Sequence, residues 1–212
     1  MAKKVHAVRM SGEFACFTNP AFTGERFSYD VPTPVALEGT LKAIFWRLGL
    51  LWNIQSIAVL APIRRICLRR NELTKFGPIT HDMEDAFTQR QTSLLQKVDY
   101  IVHAYLSLEN QGSDPAQILK GDAMFERYMK QGKQFHQPYF GCREWVADVR
   151  WASPDDPKPI DVSRDLGRMV FGYVWDGNRR SQILEYNATM NHGVIQVPTR
   201  DEVLRFSRAV AS

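Results

Sequence analysis

Val31-Pro-Thr-Pro-Val-Ala-Leu-Glu-Gly-Thr-Leu-Lys-Ala-Ile-Phe-Trp-Arg-Leu-Gly49 is the stretch from which the rest of the chain can be ordered. Thr33 can cap the free N–H groups of a helix start, and Pro34 fits the first turn without losing a hydrogen bond. Leu37, Leu41, Ile44, Phe45 and Leu48 recur at helical spacing, and Glu38 and Lys42 form a favourable i,i+4 pair away from them. The pattern predicts an amphipathic helix ending near Gly49.

Upstream, Val5, Ala7 and Val8 open a strand, followed by an aromatic loop, Phe14 to Pro20, and a polar stretch from Thr23 to Ser28. Downstream, Ile54 to Ile66 reads as a strand in which Pro62 marks an edge, a bulge or a break. Asn71 to Thr92, with Gly77-Pro78 and an acidic patch at His81–Asp85, reads as a long loop. Strand alternation returns from Val98 to Leu106, Gly112–Pro115 is a turn, and Asp122–Gln131 reads as a second helix stopped by Gly132. Trp145, Ala147 and Val149 alternate as a further strand. The order strand, helix, strand, strand, helix, strand is that of split βαβ folds.

A Pro-rich connector, Ser153–Pro159, then precedes three short strand candidates at Val170–Val174, Gln182–Tyr186 and Gly193–Val197. The expected class is therefore α+β: a ferredoxin-like (RRM-like) N-terminal domain over residues 1–152 and a small C-terminal antiparallel β-sheet over 160–212. The first part would carry the functional surface and the second would brace it.

A chain of 212 residues, 44% of them hydrophobic, can bury a sizeable core. With 27 Lys plus Arg against 23 Asp plus Glu, the formal charge is +4, a mild preference for anionic partners. Cys16, Cys67 and Cys142 stand too far apart in sequence to read as a zinc knuckle or a redox couple, so they are expected to be reduced, mostly structural thiols. The apolar run after Met1-Ala-Lys-Lys4 is broken by His6 and Arg9, and that from Leu48 to Pro62 by Asn53, Gln55 and Ser56. Neither suits a signal-peptide core or a membrane span. A soluble, cytoplasmic protein is expected.

Arg64, Arg65, Arg69 and Arg70 add four positive charges to one strand, a set suited to phosphate contacts. Strand parity puts Arg65 and Arg69 on one face, and Arg64 and Arg70 on the other with Ile66 and Leu68, so a single pair can enter a common groove. Phe14, Phe17, Tyr29, Phe45, Trp46 and Tyr100 could stack on bases, although core packing is the commoner use of such rings. Of Phe45 and Trp46, it is Trp46, beside the apolar helix face, that is expected at a boundary. The segment Gly132–Trp145 is the densest cluster of reactive side chains. RNA can be cut when one group takes the 2′-hydroxyl proton, a cation stabilises the phosphate, and an acid protonates the leaving 5′-oxygen. His136 could move the proton, Tyr128 could hold or donate one, and Lys120, Lys133 or Arg143 could stabilise charge. There is no metalloprotease helix motif, paired-carboxylate motif, phosphate-binding Gly-rich loop or serine elbow. Neither a metal nor a cofactor is expected.

Five stretches, Gly12–Pro20, Ser28–Pro34, Leu41–Trp46, Pro62-Ile63 and Phe135–Glu144, resemble in the same order the Cas-five proteins of subtype I-C CRISPR systems, the D variant. The resemblance implies a metal-independent endoribonuclease acting through the RNA 2′-hydroxyl. Such a protein binds the CRISPR repeat hairpin, cleaves precursor CRISPR RNA and stays on the 5′ handle beside the other subunits of the type I-C surveillance complex. The family's chemistry is attributed to a tyrosine near the end of the first helix and a Lys-His pair by the second. The matching positions are Phe45, Lys120 and Gly121, of which Lys120 alone keeps the family residue. His136 and then Tyr128 are the substitutes for the missing groups. The alternatives are a handle-binding structural subunit with little or no cleavage, and a general binder of duplex nucleic acid, DNA included.

Overall fold

The computed structural model describes residues 3–22, 24–73, 87–109, 114–176 and 179–210. In chain order the elements are β1 (His6–Ala15), β2 (Arg26–Phe27), α1 (Pro34–Ile44), β3 (Leu50–Val59), β4 (Arg64–Leu73), β5 (Phe87–Leu108), α2 (Ala116–Gln131), β6 (Asp148–Trp151), β7 (Arg164–Asp176), β8 (Arg179–Asn191), β9 (Val194–Gln196) and α3 (Arg200–Val210). The chain is mixed α/β, with one large, mostly antiparallel sheet ordered β6-β1-β5-β3-β9-β8-β7 and with β2 and β4 also paired to β5. Among the described residues no helix is long and apolar enough to cross a membrane.

The long strand β5 organises this sheet. Its C-terminal half lies between β1, as in Val8 opposite Val102, and β3, as in Ile57 opposite Val102. Its N-terminal half pairs with β4 from Phe87 to Gln96. The change of partner falls at Lys97, whose φ of 52° puts a side-chain-bearing residue in the left-handed region and bends the strand.

Alternate residues of the central strands, Val8 and Met10 on β1 and Tyr100, Val102 and Ala104 on β5, are buried beneath the helices. Thr33 Oγ1 accepts the Ala36 N–H and Pro34 opens α1, as the capping chemistry predicts. Leu37 and Leu41 are fully buried, each contributing about 1.5–3 kcal/mol relative to exposure. On α2, Phe125 sits in a cage with Trp52, Trp151 and His6, and His6 Nε2 lies 2.8 Å from Asp122 Oδ1. That buried pair pins α2 to β1.

Several boundaries differ from the sequence reading. α1 stops at Ile44 because Phe45 is extended (φ −142°), and Leu48 is consequently 78% exposed instead of lying on the apolar face. The expected strand Ile54–Ile66 is two strands separated at Pro62. The expected loop Asn71–Thr92 is strand at both ends, while residues 74–86 lie outside the described residues. α2 begins at Ala116, before Asp122, and β6 begins at Asp148, with Trp145 still in a turn onto Cys142. The C-terminal strands, expected as a small sheet, continue the large one: β9 pairs with β3 at Ser56–Ala58. Met169, Leu184 and Met190 pack in the same core as Leu37 and Leu41. α3 was not expected, although Thr199 and Glu202 form a reciprocal cap at its start.

Candidate nucleic-acid interface

The segment after α2 is built onto the end of α1. Gly132 caps α2 in the left-handed conformation (φ 65°), and the Lys133 N–H also returns to Tyr128 O at 2.9 Å. Phe135 and His136 then donate their N–H groups to Ala43 O at 2.7 and 3.0 Å, and Thr40 Oγ1 donates to Tyr139 O at 3.0 Å. Trp52 Nε1 donates to Phe45 O at 3.0 Å. Carbonyls that a helix end leaves open are thus filled by a loop and by an indole. Further on, Gly141 (φ 78°) passes so close to β1 that a Cβ would stand 1.9 Å from Cys16 O.

This scaffold leaves His136 exposed, its ring stacked on Tyr139 at 6.0 Å between centroids. Nδ1 lies 3.1 Å from Gln137 O. A carbonyl only accepts, so Nδ1 carries the hydrogen and Nε2 is the basic nitrogen. Phe135 is 76% and Trp46 56% exposed, an unusual display of aromatic surface, and Lys133 is exposed on the same segment. Tyr128 is half-buried, edge-on to Phe45 at 5.9 Å, with the Arg127 guanidinium over its ring. Tyr128 and His136 are thereby both tied to the C-terminal end of α1. Lys120 is exposed on α2 eight residues before Tyr128, roughly 12 Å along the helix axis.

Beside Lys120, Gly121 is closed in. A Cβ there would stand 2.6 Å from Leu50 Cδ1, 3.0 Å from Leu106 Cδ1 and 3.8 Å from Phe45 Cε1. Phe45 is itself 2% exposed. Phe45 and Gly121, two of the three positions the resemblance singles out, do face one another, but across an apolar contact. His103 of β5 is half-buried on the opposite sheet face, 3.2 Å from Ser56 Oγ, and burial lowers its pKa.

The arginines of β4 divide by face as parity requires. Arg65 donates Nη1 to Ser28 O (2.9 Å) and Ser93 Oγ (3.3 Å), pairs with Asp30, and covers the Phe27 ring at 4.5 Å. A cleft of about 180 Å³ opens beside it, lined by Asn19, Phe27, Asp30, Arg65 and Arg168 among others. Arg70, on the other face, donates to Glu144 Oε1 at 3.0 Å and lies over Trp145. The Glu144 carboxyl sits below the ordinary carboxylate range, held there by its own backbone N–H and then by Arg70. Arg64, Arg69 and Arg143 are exposed. β4 thus reaches the Gly132–Trp145 segment through Arg70, while Arg65 serves a different cluster.

Sequence reasoning overlooked Arg26, which contacts Glu144 at 3.5 Å and Cys142 Sγ at 3.8 Å, and the stacked, exposed Phe22–Phe27 pair. It also overlooked the meeting of Cys16 and Cys142. No local pattern marks these contacts, because their partners are brought together only by the fold.

The chain matches the model of the Cas5d group of the CRISPR-associated protein family Cas5 over residues 7–210. It is similar to two curated proteins named CRISPR pre-crRNA endoribonuclease Cas5d. The one from Thermus thermophilus is 40% identical over 177 residues, covering 81% of this chain and 75% of the relative. The one from Mannheimia succiniciproducens is 32% identical over 219 residues, covering 93% of this chain and 96% of the relative. Among solved structures, one described as a CRISPR-associated protein superposes with a TM-score of 0.70 at 24% identity, covering 94% of each chain. A chain of a CRISPR RNA-guided surveillance complex does so with a TM-score of 0.52 at 16% identity, covering 99% of this chain and 100% of that one.

Proposed function

Because the chain belongs to the Cas5d group of the CRISPR-associated Cas5 family, we propose that it binds the hairpin of a CRISPR repeat, cleaves precursor CRISPR RNA, and remains on the 5′ handle as a subunit of a type I-C surveillance complex. The observation that carries this reading is the pair of relatives, both named as pre-crRNA endoribonucleases and both matched over most of their length. The strand order β6-β1-β5-β3, with helices in the connections β1 to β3 and β5 to β6, supports a ferredoxin-like platform under residues 1–152. Residues 160–212 brace it and reach the basic cluster through Arg164, which pairs with Asp30.

In this reading the RNA lies along the surface made by Trp46, Lys133, Phe135, His136 and Arg143, with the β4 arginines beyond. Exposed aromatic rings suit unpaired bases, and guanidinium groups suit phosphates. The 2′-hydroxyl next to the scissile phosphate is the nucleophile. His136 Nε2 takes its proton as the 2′-oxygen bonds to phosphorus, the bond from phosphorus to the 5′-oxygen breaks, and that oxygen takes a proton from Tyr128 or from solvent. Lys120 offsets the added negative charge, and Tyr128 is the second proton-bearing group near the end of α1. The products are a 2′,3′-cyclic phosphate and a 5′-hydroxyl.

One observation favours a second reading, a handle-binding subunit with little cleavage. The position matching the family histidine is glycine against Leu50 and Leu106, and the position matching the tyrosine is a buried phenylalanine. Incubating the protein with its own repeat RNA, with and without chelator, and identifying the end groups separates the two. A cyclic phosphate end formed in chelator supports the enzyme. Tight binding of uncut repeat supports the structural subunit, and equal affinity for duplex DNA and repeat RNA would overturn RNA recognition.

A further inference from the structure

We propose that Cys142 and Cys16 form a peroxide-reactive dithiol, with Cys142 as the attacking sulfur and Cys16 as the resolving one. The proposal rests on the geometry of this pair and is independent of the RNA reading.

The two residues are 126 positions apart, and the fold stitches their backbones together. The Cys16 N–H donates to Phe140 O at 3.1 Å, the Cys142 N–H donates to the same oxygen at 3.0 Å, and Gly141 lies against Cys16 O too tightly for any side chain. Cys142 Sγ donates to Cys16 O at 3.9 Å, which brings the two side chains onto one patch of backbone. Both are free. A sulfur oxidised at either position therefore has a second sulfur beside it.

Their surroundings are unequal, which assigns the roles. Cys16 is fully buried, 3.8 Å from Thr18 Oγ1, whereas Cys142 is partly exposed and receives Arg26 Nη1 at 3.8 Å. The neighbouring Cys16 thiol lowers the Cys142 pKa, partial burial opposes this, the Arg26 guanidinium adds to the lowering, and Glu144 opposes it. An accessible thiolate beside a cation is the reactive form of cysteine, and a buried neutral thiol is inert until a sulfenic acid forms next to it.

The chemistry balances with hydrogen peroxide as oxidant. The Cys142 thiolate attacks one peroxide oxygen, the O–O bond breaks, and Cys142 sulfenic acid and hydroxide result. Cys16 sulfur then attacks the Cys142 sulfur, the S–O bond breaks, and water leaves with the Cys16 proton. Two thiols and one peroxide become one disulfide and two waters, and an external thiol reverses the change.

The test uses full-length protein carrying Cys67→Ser, which removes the exposed third thiol and with it disulfide-linked dimers. The reduced protein is treated with stoichiometric hydrogen peroxide, alkylated in denaturant, and mapped by mass spectrometry. The expected result is loss of both thiols in a monomer, a Cys16–Cys142 linked peptide, and full recovery with dithiothreitol. Adding Cys16→Ser should stop the reaction at a Cys142 sulfenic acid that dimedone traps. Because that variant alters a buried site, a second measurement needs no change there: iodoacetamide labelling of the native wild-type chain against pH. Cys142 should react at least about tenfold faster than Cys67 at pH 7. Two thiols surviving peroxide, Cys142 over-oxidised with Cys16 still free, or Cys142 labelling no faster than Cys67 would each overturn the proposal.

Discussion

Arg65 Nε donates to Asp30 Oδ1 at 2.9 Å, and the other oxygen of the same carboxylate takes Arg164 of β7, so one acid holds two distant strands. An arginine engaged in this way, and also bonded to Ser28 O and Ser93 Oγ, is already serving the fold.

Arg65 and Arg69 should therefore separate when each is changed to alanine. Arg69→Ala should leave the melting temperature nearly unchanged, weaken repeat RNA binding, and reduce the slope of log affinity against log salt by about 0.7–0.9. Arg65→Ala should cost about 1–2 kcal/mol of stability, a figure discounted because roughly a third of its side chain is exposed. Unfolding and filter binding at several salt concentrations measure both. An Arg69→Ala protein with parental affinity and slope would remove that residue from the interface.

What could be read ahead of the structure was local chemistry. Thr33 and Pro34 announce α1 because a cap and a first-turn proline act within their own turn, and Gly132 announces the end of α2 for the same reason. The end of α1 was misjudged because it is set from elsewhere, by Trp52 Nε1 and by the Phe135 and His136 N–H groups. β4 was read short because it carries exposed, charged side chains and so lacks an apolar alternation. The surface around His136 was legible as a cluster of residue types. Which of them are exposed depends on contacts such as Thr40 with Tyr139, 99 positions apart, and the meeting of Cys16 with Cys142 spans 126.

Gly121→His, which restores the family's residue type, should destabilise the protein. The Cβ alone would come within 2.6 Å of Leu50 Cδ1, and the imidazole must displace Leu50, Leu106 or Phe45 from a filled core. Overpacking of this kind costs about 1–3 kcal/mol, outweighing the gain from removing a helical glycine. Denaturant unfolding is the measurement. A variant as stable as the parent would mean that the pocket opens readily and that the family's histidine site survives here.

Asp156 makes stability depend on acid. Its carboxylate, 4% exposed, is held by Arg150, then by the Ser153 N–H at 2.8 Å and by Arg9 at 2.6 Å, contacts that push its pKa far below the ordinary carboxylate value. A depressed folded pKa stabilises above the unfolded value, about 3.9, and the contribution is lost as pH falls through the folded one. Asp156→Asn should thus be less stable than the parent at neutral pH, and the gap should close in strong acid. A gap independent of pH would show that the carboxylate charge is not what tethers the connector.

His136 is the decisive residue for the chemistry. Its main-chain N–H is fixed on Ala43 O, its Nδ1 is occupied by Gln137 O, and its exposed ring rests on Tyr139, so removal of the imidazole should spare the scaffold. If its Nε2 moves the proton, His136→Ala should slow single-turnover cleavage of repeat RNA by ~10²–10⁴-fold while RNA affinity stays nearly intact. Lys120→Ala should impair both steps, cleavage more, since a cation that stabilises the phosphorane also attracts the ground-state phosphate. His136→Gln should keep a hydrogen-bonding side chain there without restoring the rate. Parental cleavage by His136→Ala would return the residue to a role in stacking on Tyr139 or on RNA, and loss of all cleavage on adding chelator would reject attack by the 2′-hydroxyl without metal.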